Sequence, residues 1–167
     1  GMLANIAGSG RKDLEHFLTP GAVPYDEARE MAPPARDPHE RARWLDREGV
    51  DATLLYPSLG LDWPQDCRDP ELAAAYTRAY NNWVADISGQ APNRLKWVTV
   101  IDAHDPKEAA QEMERTHEMG SVGVMVLGDY STKSLDHDDF TPIWDTANQL
   151  GMPINVHPGT GALDAAK

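Results

Sequence analysis

Three times in this chain an aspartate stands directly before a proline at the head of a helix-like run: Asp37-Pro38, Asp69-Pro70 and Asp105-Pro106. An aspartate side chain accepts hydrogen bonds from the free N–H groups of a helix's first turn. Proline's fixed φ suits the first helical position, where no N–H is needed. Glu40 and Glu108 supply the acid that closes a capping box. The far ends are punctuated too: Gly49, Gly120 and Gly151 each separate a helical run from an apolar one. Helices are thus expected over 38–48, from Pro70, from Pro106 to Gly120, and over 141–150. The strands are Val50–Tyr56, Leu95–Ile101, Val122–Leu127 and Pro153–His157. Short apolar strands alternating with helices require a mainly parallel sheet built from right-handed βαβ units, here about four of them.

Two α/β architectures share this order, a doubly wound open sheet of flavodoxin type and part of a (β/α)8 TIM-like barrel. No Gly-x-Gly-x-x-Gly or Walker-type loop follows any strand, so the nucleotide-binding open sheets lose their main support. A whole barrel takes about 250 residues, and four strands would make half of one. Gly8, Gly10, Pro20, Gly21, Pro24, Pro33 and Pro34 interrupt residues 1–36. That stretch reads as an irregular N-terminal segment with one short helix around Lys12–Phe17, ahead of a single domain over 37–167. In the second helix Leu72, Tyr76, Tyr80, Trp83 and Ile87 recur at steps of four and three and read as one buried stripe. Trp44, Trp83, Trp97 and Trp144 are expected to pack between helices and sheet, and Trp63, in a loop, to be partly exposed.

Charge excludes several function classes. Asp plus Glu number 27 against 15 Lys plus Arg, giving a formal charge of −12 with no basic cluster. This argues against nucleic acid and anionic membrane surfaces as partners. No apolar run approaches the roughly 18 residues of a bilayer-spanning helix. Cys67 is the single cysteine, which rules out an internal disulfide and fits a reducing compartment, so a cytoplasmic location is expected.

The leading candidate for chemistry is His157, which closes the fourth strand ahead of Pro158-Gly159. Parallel sheets present their chemistry at that end of a strand. The plainer alternative is a satisfied histidine at a strand end. In a barrel Tyr56-Pro57-Ser58, Asp102, His104 and Gly128-Asp129-Tyr130 would share the same rim. Asp102 and His104 have the chemistry of a metal or proton-relay pair, but His104-Asp105-Pro106 is more simply the lead-in to a capped helix. His137-Asp138-Asp139 resembles a metal cluster on paper, yet it precedes a helix, where aspartates cap and favour the dipole. His16, His39 and His117 show no partners in the sequence. Cys67 has no paired-histidine pattern and no Gly-x-Ser-x-Gly is present, which leaves nucleophilic acyl transfer without support.

A set of ordered stretches carries a resemblance. Asp37-Pro38, Arg41 and Trp44–Asp51 are followed by Leu55–Ser58, by Leu72-Ala73, Tyr76 and Ala79–Trp83, then by Phe140–Asp145 and Met152–Gly159. Together they resemble the amidohydrolase-related branch of the metal-dependent hydrolases, which includes aminocarboxymuconate semialdehyde decarboxylase and aromatic-acid decarboxylases. The resemblance implies a distorted (β/α)8 barrel with a divalent metal, usually zinc, at the strand ends. It also implies that His157 is the fifth-strand metal ligand, with the first-strand ligands lying before Met2 and the remaining ones after Lys167. The chain would then correspond to strands two to five, a fragment inactive in isolation. The substrate implied is small and aromatic or carboxylated. Uncovered sheet edges and an apolar sheet face lead us to expect a homo-oligomer. The competing expectations are a catalytically inert, self-associating half-barrel and a small-molecule-binding flavodoxin-type domain.

Overall fold

A computed structural model describes residues 33–57, 67, 69–128 and 133–157. The expected helix at Lys12–Phe17 lies outside the described residues, as do His16, Ser58, Trp63, Asp129, Tyr130, Pro158 and Gly159. After a short 3-10 turn at Pro33–Ala35, the order is α1 (Pro38–Glu48), β1 (Thr53–Leu55), α2 (Pro70–Gly89), β2 (Leu95–Trp97) and β3 (Thr99–Val100). Then come α3 (Pro106–Glu118), β4 (Val124–Leu127), a 3-10 turn at Asp138–Phe140, α4 (Thr141–Leu150) and β5 (Ile154–His157).

The caps form as the residues dictate. Asp37 accepts from the N–H groups of His39 and Glu40, Asp69 from Glu71 and Leu72, and Asp105 from Lys107 and Glu108. α1 and α4 stop where Gly49 and Gly151 take φ of 67° and 65°, a left-handed conformation that costs a residue without Cβ little.

All strand pairs are parallel, and the strands pair in chain order except that β2 and β3, successive parts of one stretch, pair with different neighbours. β1 pairs with β2 in one sheet, and β3, β4 and β5 lie in order in a second. The stretch expected as one strand, Leu95–Ile101, changes partners at its middle. Thr53, Leu54 and Leu55 match Leu95, Lys96 and Trp97, whereas Thr99 and Val100 match Val124 and Met125. The chain is continuous through Val98, whose N–H donates to Leu55 O while Val122 N–H donates to Trp97 O, so both ladders hang on one staggered strand.

The sheet is curved. Tyr56, just past β1, donates its hydroxyl to Asn155 Oδ1 on β5 at 3.0 Å. Three strand intervals of about 4.8 Å each lie between those strands, and side chains standing off a flat sheet do not meet over about 14 Å. An unreversed strand order on a curling sheet is the geometry of a partial (β/α)8 barrel. The flavodoxin-type expectation is set aside, because that fold needs a reversal in strand order and helices on both faces.

Two apolar clusters flank the sheet. The larger joins Val124 and Val126 to Ile101, Ala109, Met113, Phe140, Ile143 and Ala147 beneath α3 and α4. The smaller holds Val98, Val100 and Met125, with Tyr80 packed against it. α2 departs from expectation. It buries Ala73, Thr77, Asn81, Val84 and Ser88, while Leu72, Tyr76 and Trp83 are exposed, Trp83 by 57%. The buried stripe is one residue round from the expected one, because small side chains let the helix axis approach the sheet. The tryptophans divide likewise: Trp97 is buried, Trp44 half-buried beneath the Arg41 guanidinium, and Trp83 and Trp144 exposed.

Candidate active-site rim

His157 is the last residue of β5 and lies in register with Leu127 at the end of β4. Its backbone oxygen accepts from Gly128 N–H at 2.9 Å, which fixes the strand end. Alternation along β5 puts Asn155 and His157 on one face. Ile154 packs on the helix-side cluster and Val156 is on its side of the strand, so Asn155 and His157 face the concave interior. There Asn155 is tied to Tyr56. His157 thus stands at the carboxyl end of β5, the last strand in the order of the described sheet, one layer above the Tyr56–Asn155 bridge.

Asp102 and His104 do pair. His104 Nδ1 lies 2.6 Å from Asp102 Oδ1, which also accepts from His104 N–H at 3.0 Å. Asp105 is separately occupied capping α3. Asp102 and His104 line a cleft of about 270 Å³ between α2 and α3 with Thr77, Arg78, Glu108 and Glu112. His157 is not among its lining residues. His137 caps the short turn, its Nδ1 accepting from Asp139 N–H at 3.2 Å, and Asp139 pairs with Lys133. The cap is therefore His137 rather than the aspartates expected to cap there, and α4 itself begins without a side-chain cap. No group of three His, Cys, Asp or Glu placed to hold a metal occurs among the described residues. Cys67 Sγ donates to Asp69 O, and none of the described helices is long and apolar enough to cross a membrane.

Sequence reasoning missed a buried polar network behind the rim. Asn81, fully buried, donates from Nδ2 to Val100 O and Glu112 Oε1, both at 2.9 Å, and accepts from Val100 N–H at 3.0 Å. Its carboxamide stands in for a neighbouring strand where the β1 ladder has ended at Leu55. Glu112 is held in turn by Arg115 at 2.6 and 2.8 Å. Burial pushes the Glu112 carboxyl up, but the Arg115 and Asn81 hydrogen bonds and the charges of Arg115 and Arg78 outweigh it and hold it below the usual range. The available signal was Asn81 falling in step with Ala73, Thr77 and Val84 on α2.

The whole-chain comparisons agree with this architecture. The chain matches the amidohydrolase family over residues 15–166. It belongs to that family. It is 30% identical over 159 residues to gamma-resorcylate decarboxylase of Polaromonas sp., covering 86% of this chain and 48% of that protein. The crystal structure of a dihydroxybenzoic acid decarboxylase from Polaromonas sp., with bound manganese and the inhibitor 2-nitroresorcinol, superposes with a TM-score of 0.66 at 27% identity. That match covers 85% of this chain and 45% of the other. Manganese-bound 5-carboxyvanillate decarboxylase of Novosphingobium aromaticivorans gives a TM-score of 0.73 over 99% of this chain and 50% of the other. At 22% identity it bears on the fold alone. The chain spans about half the length of the curated relatives it matches.

A divalent ion fits these residues in part. His157 is an imidazole at the correct end of a strand, but a metal site of this kind takes three protein ligands. The described residues do not assemble such a set.

Proposed function

We propose that this chain forms the strand-two-to-strand-five half of a divalent-metal-dependent decarboxylase for small aromatic carboxylates, with His157 as one metal ligand. The supporting observation is the position of His157 at the interior rim of a parallel, curved sheet, in a chain whose relatives include decarboxylases of hydroxylated aromatic acids. Imidazole and oxygen donors accept zinc and manganese alike. The zinc implied by the sequence resemblance and the manganese of the solved relatives therefore compete for one role. With a single imidazole the chain binds metal weakly and releases no CO2 alone. The test is nuclear magnetic resonance of the histidine rings under substoichiometric Mn2+. His157 should broaden first, 2,6-dihydroxybenzoate should bind more tightly with Mn2+ present, and His157→Ala should abolish that gain. First broadening at His137, or an Mn2+ effect indifferent to His157→Ala, would refute the assignment.

Self-association is the second part of this reading, favoured by Leu54, Trp83 and Val156, all large and exposed. Sedimentation should show a dimer or larger species that Trp83→Glu with Val156→Glu converts to monomer. A monomeric parent chain would overturn it.

A further inference from the structure

We infer that the Tyr56–Asn155 bridge is a specificity element that selects aromatic acids carrying a hydrogen-bond donor opposite the carboxylate. This inference rests on the decarboxylase reading and goes beyond it to the shape of the substrate.

The polar hydrogens of the pair decide the matter. A tyrosine hydroxyl has one hydrogen and an asparagine amide has two. Tyr56 spends its hydrogen on Asn155 Oδ1 at 3.0 Å. Asn155 Nδ2 spends both of its own on backbone oxygens, Val124 O at 3.1 Å and Pro153 O at 3.4 Å. The amide is locked in this sense, since turning it over would set its oxygen against those two carbonyls. Gly123 secures the arrangement, because a Cβ there would lie 3.0 Å from Pro153 O and 3.1 Å from Asn155 Nδ2. What remains is lone pairs alone, on Tyr56 Oη and Asn155 Oδ1. Tyr56 is 42% exposed, so its oxygen is within reach of a ligand.

An array that can only accept repels a carboxylate and receives an O–H or N–H group. Asn155 and His157 lie two residues apart on one face, a separation of about 6.6 Å along the strand, about the span of a benzene ring with substituents at its two ends. A ring whose carboxylate is drawn to the His157 end therefore presents its opposite edge to the bridge. A hydroxyl or amino group there is bound; a methoxy group of similar shape has no hydrogen to give and leaves acceptor facing acceptor.

The test compares 4-hydroxybenzoate with 4-methoxybenzoate on the whole chain with Mn2+, by ligand-observed nuclear magnetic resonance. The wild-type chain should prefer the hydroxy acid about tenfold, and Tyr56→Phe, verified as folded by circular dichroism, should lower the preference about threefold, since Asn155 Oδ1 remains as an acceptor. Equal binding of the two acids to the wild-type chain, or a preference untouched by Tyr56→Phe, overturns the inference and leaves the decarboxylase reading standing. Failure of both acids to bind overturns the two together. The wild-type comparison alone decides the case if the variant does not fold.

Discussion

Replacing Asn81 by leucine gives a stability change that can be worked out from the structure. Leucine has nearly the shape of asparagine, so the substitution opens no cavity and isolates the loss of the amide. Val100 N–H and Val100 O lose the Asn81 side chain that they bond at 3.0 and 2.9 Å, and Glu112 loses a donor. Val100 is 3% exposed, so bulk water does not replace the amide. Each stranded buried group costs about 1–3 kcal/mol, which for the two backbone groups gives about 4 kcal/mol. That is a large share of the roughly 5–15 kcal/mol that holds a domain together. Asn81→Asp should be as damaging at neutral pH, since it keeps the acceptor for Val100 N–H, loses the donor and adds charge beside Glu112. Urea unfolding followed by circular dichroism at one fixed protein concentration measures the loss as a lowered midpoint at constant slope. Asn82→Ala, which removes only an exposed acceptor for Arg115, is the control and should cost less than about 1 kcal/mol. A loss for Asn81→Leu no larger than the control's would refute the idea that this side chain substitutes for a strand.

Two further expectations concern the same framework. The Glu112 carboxyl titrates below the usual range in the fold and near about 4.3 in the unfolded chain. Its contribution is therefore complete above about pH 4.3 and is lost as the pH falls through the folded value, where the unfolded state binds more protons. Glu112→Gln should flatten that acid limb of the unfolding free energy against pH, and an unchanged limb would count against it. Gly123→Ala should cost about 1–3 kcal/mol by forcing Cβ onto a backbone oxygen, and should shift the Asn155 side-chain amide resonances. Wild-type stability with an undisturbed Asn155 amide would show that the close approach is not real.

The sequence made the scaffold legible wherever a backbone group needed a particular side chain. Asp37, Asp69 and Asp105 cap because a short carboxylate just ahead of the helix reaches the first free N–H groups, and Gly49 and Gly151 end helices because they take positive φ. Strand order followed from the alternation. Side-chain burial on α2 was not legible in the same way. The large stripe through Leu72, Tyr76 and Trp83 and the small one through Ala73, Thr77, Asn81 and Val84 have the same period, so spacing cannot choose between them. Size pointed to the large stripe, and close helix–sheet approach favoured the small one. Asn81 and Glu112 carry no burial signal singly, since each is polar, and only their pairing makes burial tolerable. His157 was found because it ends a strand. Tyr56 was expected on the same rim, but its bond to Asn155 depends on a curvature that no local pattern encodes.

The strict succession of strands also has a temporal meaning. Each strand pairs with one already synthesised, so the arc can be laid down unit by unit as the polypeptide emerges, every new ladder closing over a single helix. Long-range order is expensive early in folding, since closing a long loop costs entropy before any contact rewards it. Tyr56 and Asn155 are 99 residues apart, and they can meet only after β5 has docked and bent the sheet. The bridge is therefore a late event on the folding path, a clasp that forms once the curve exists and then resists its flattening.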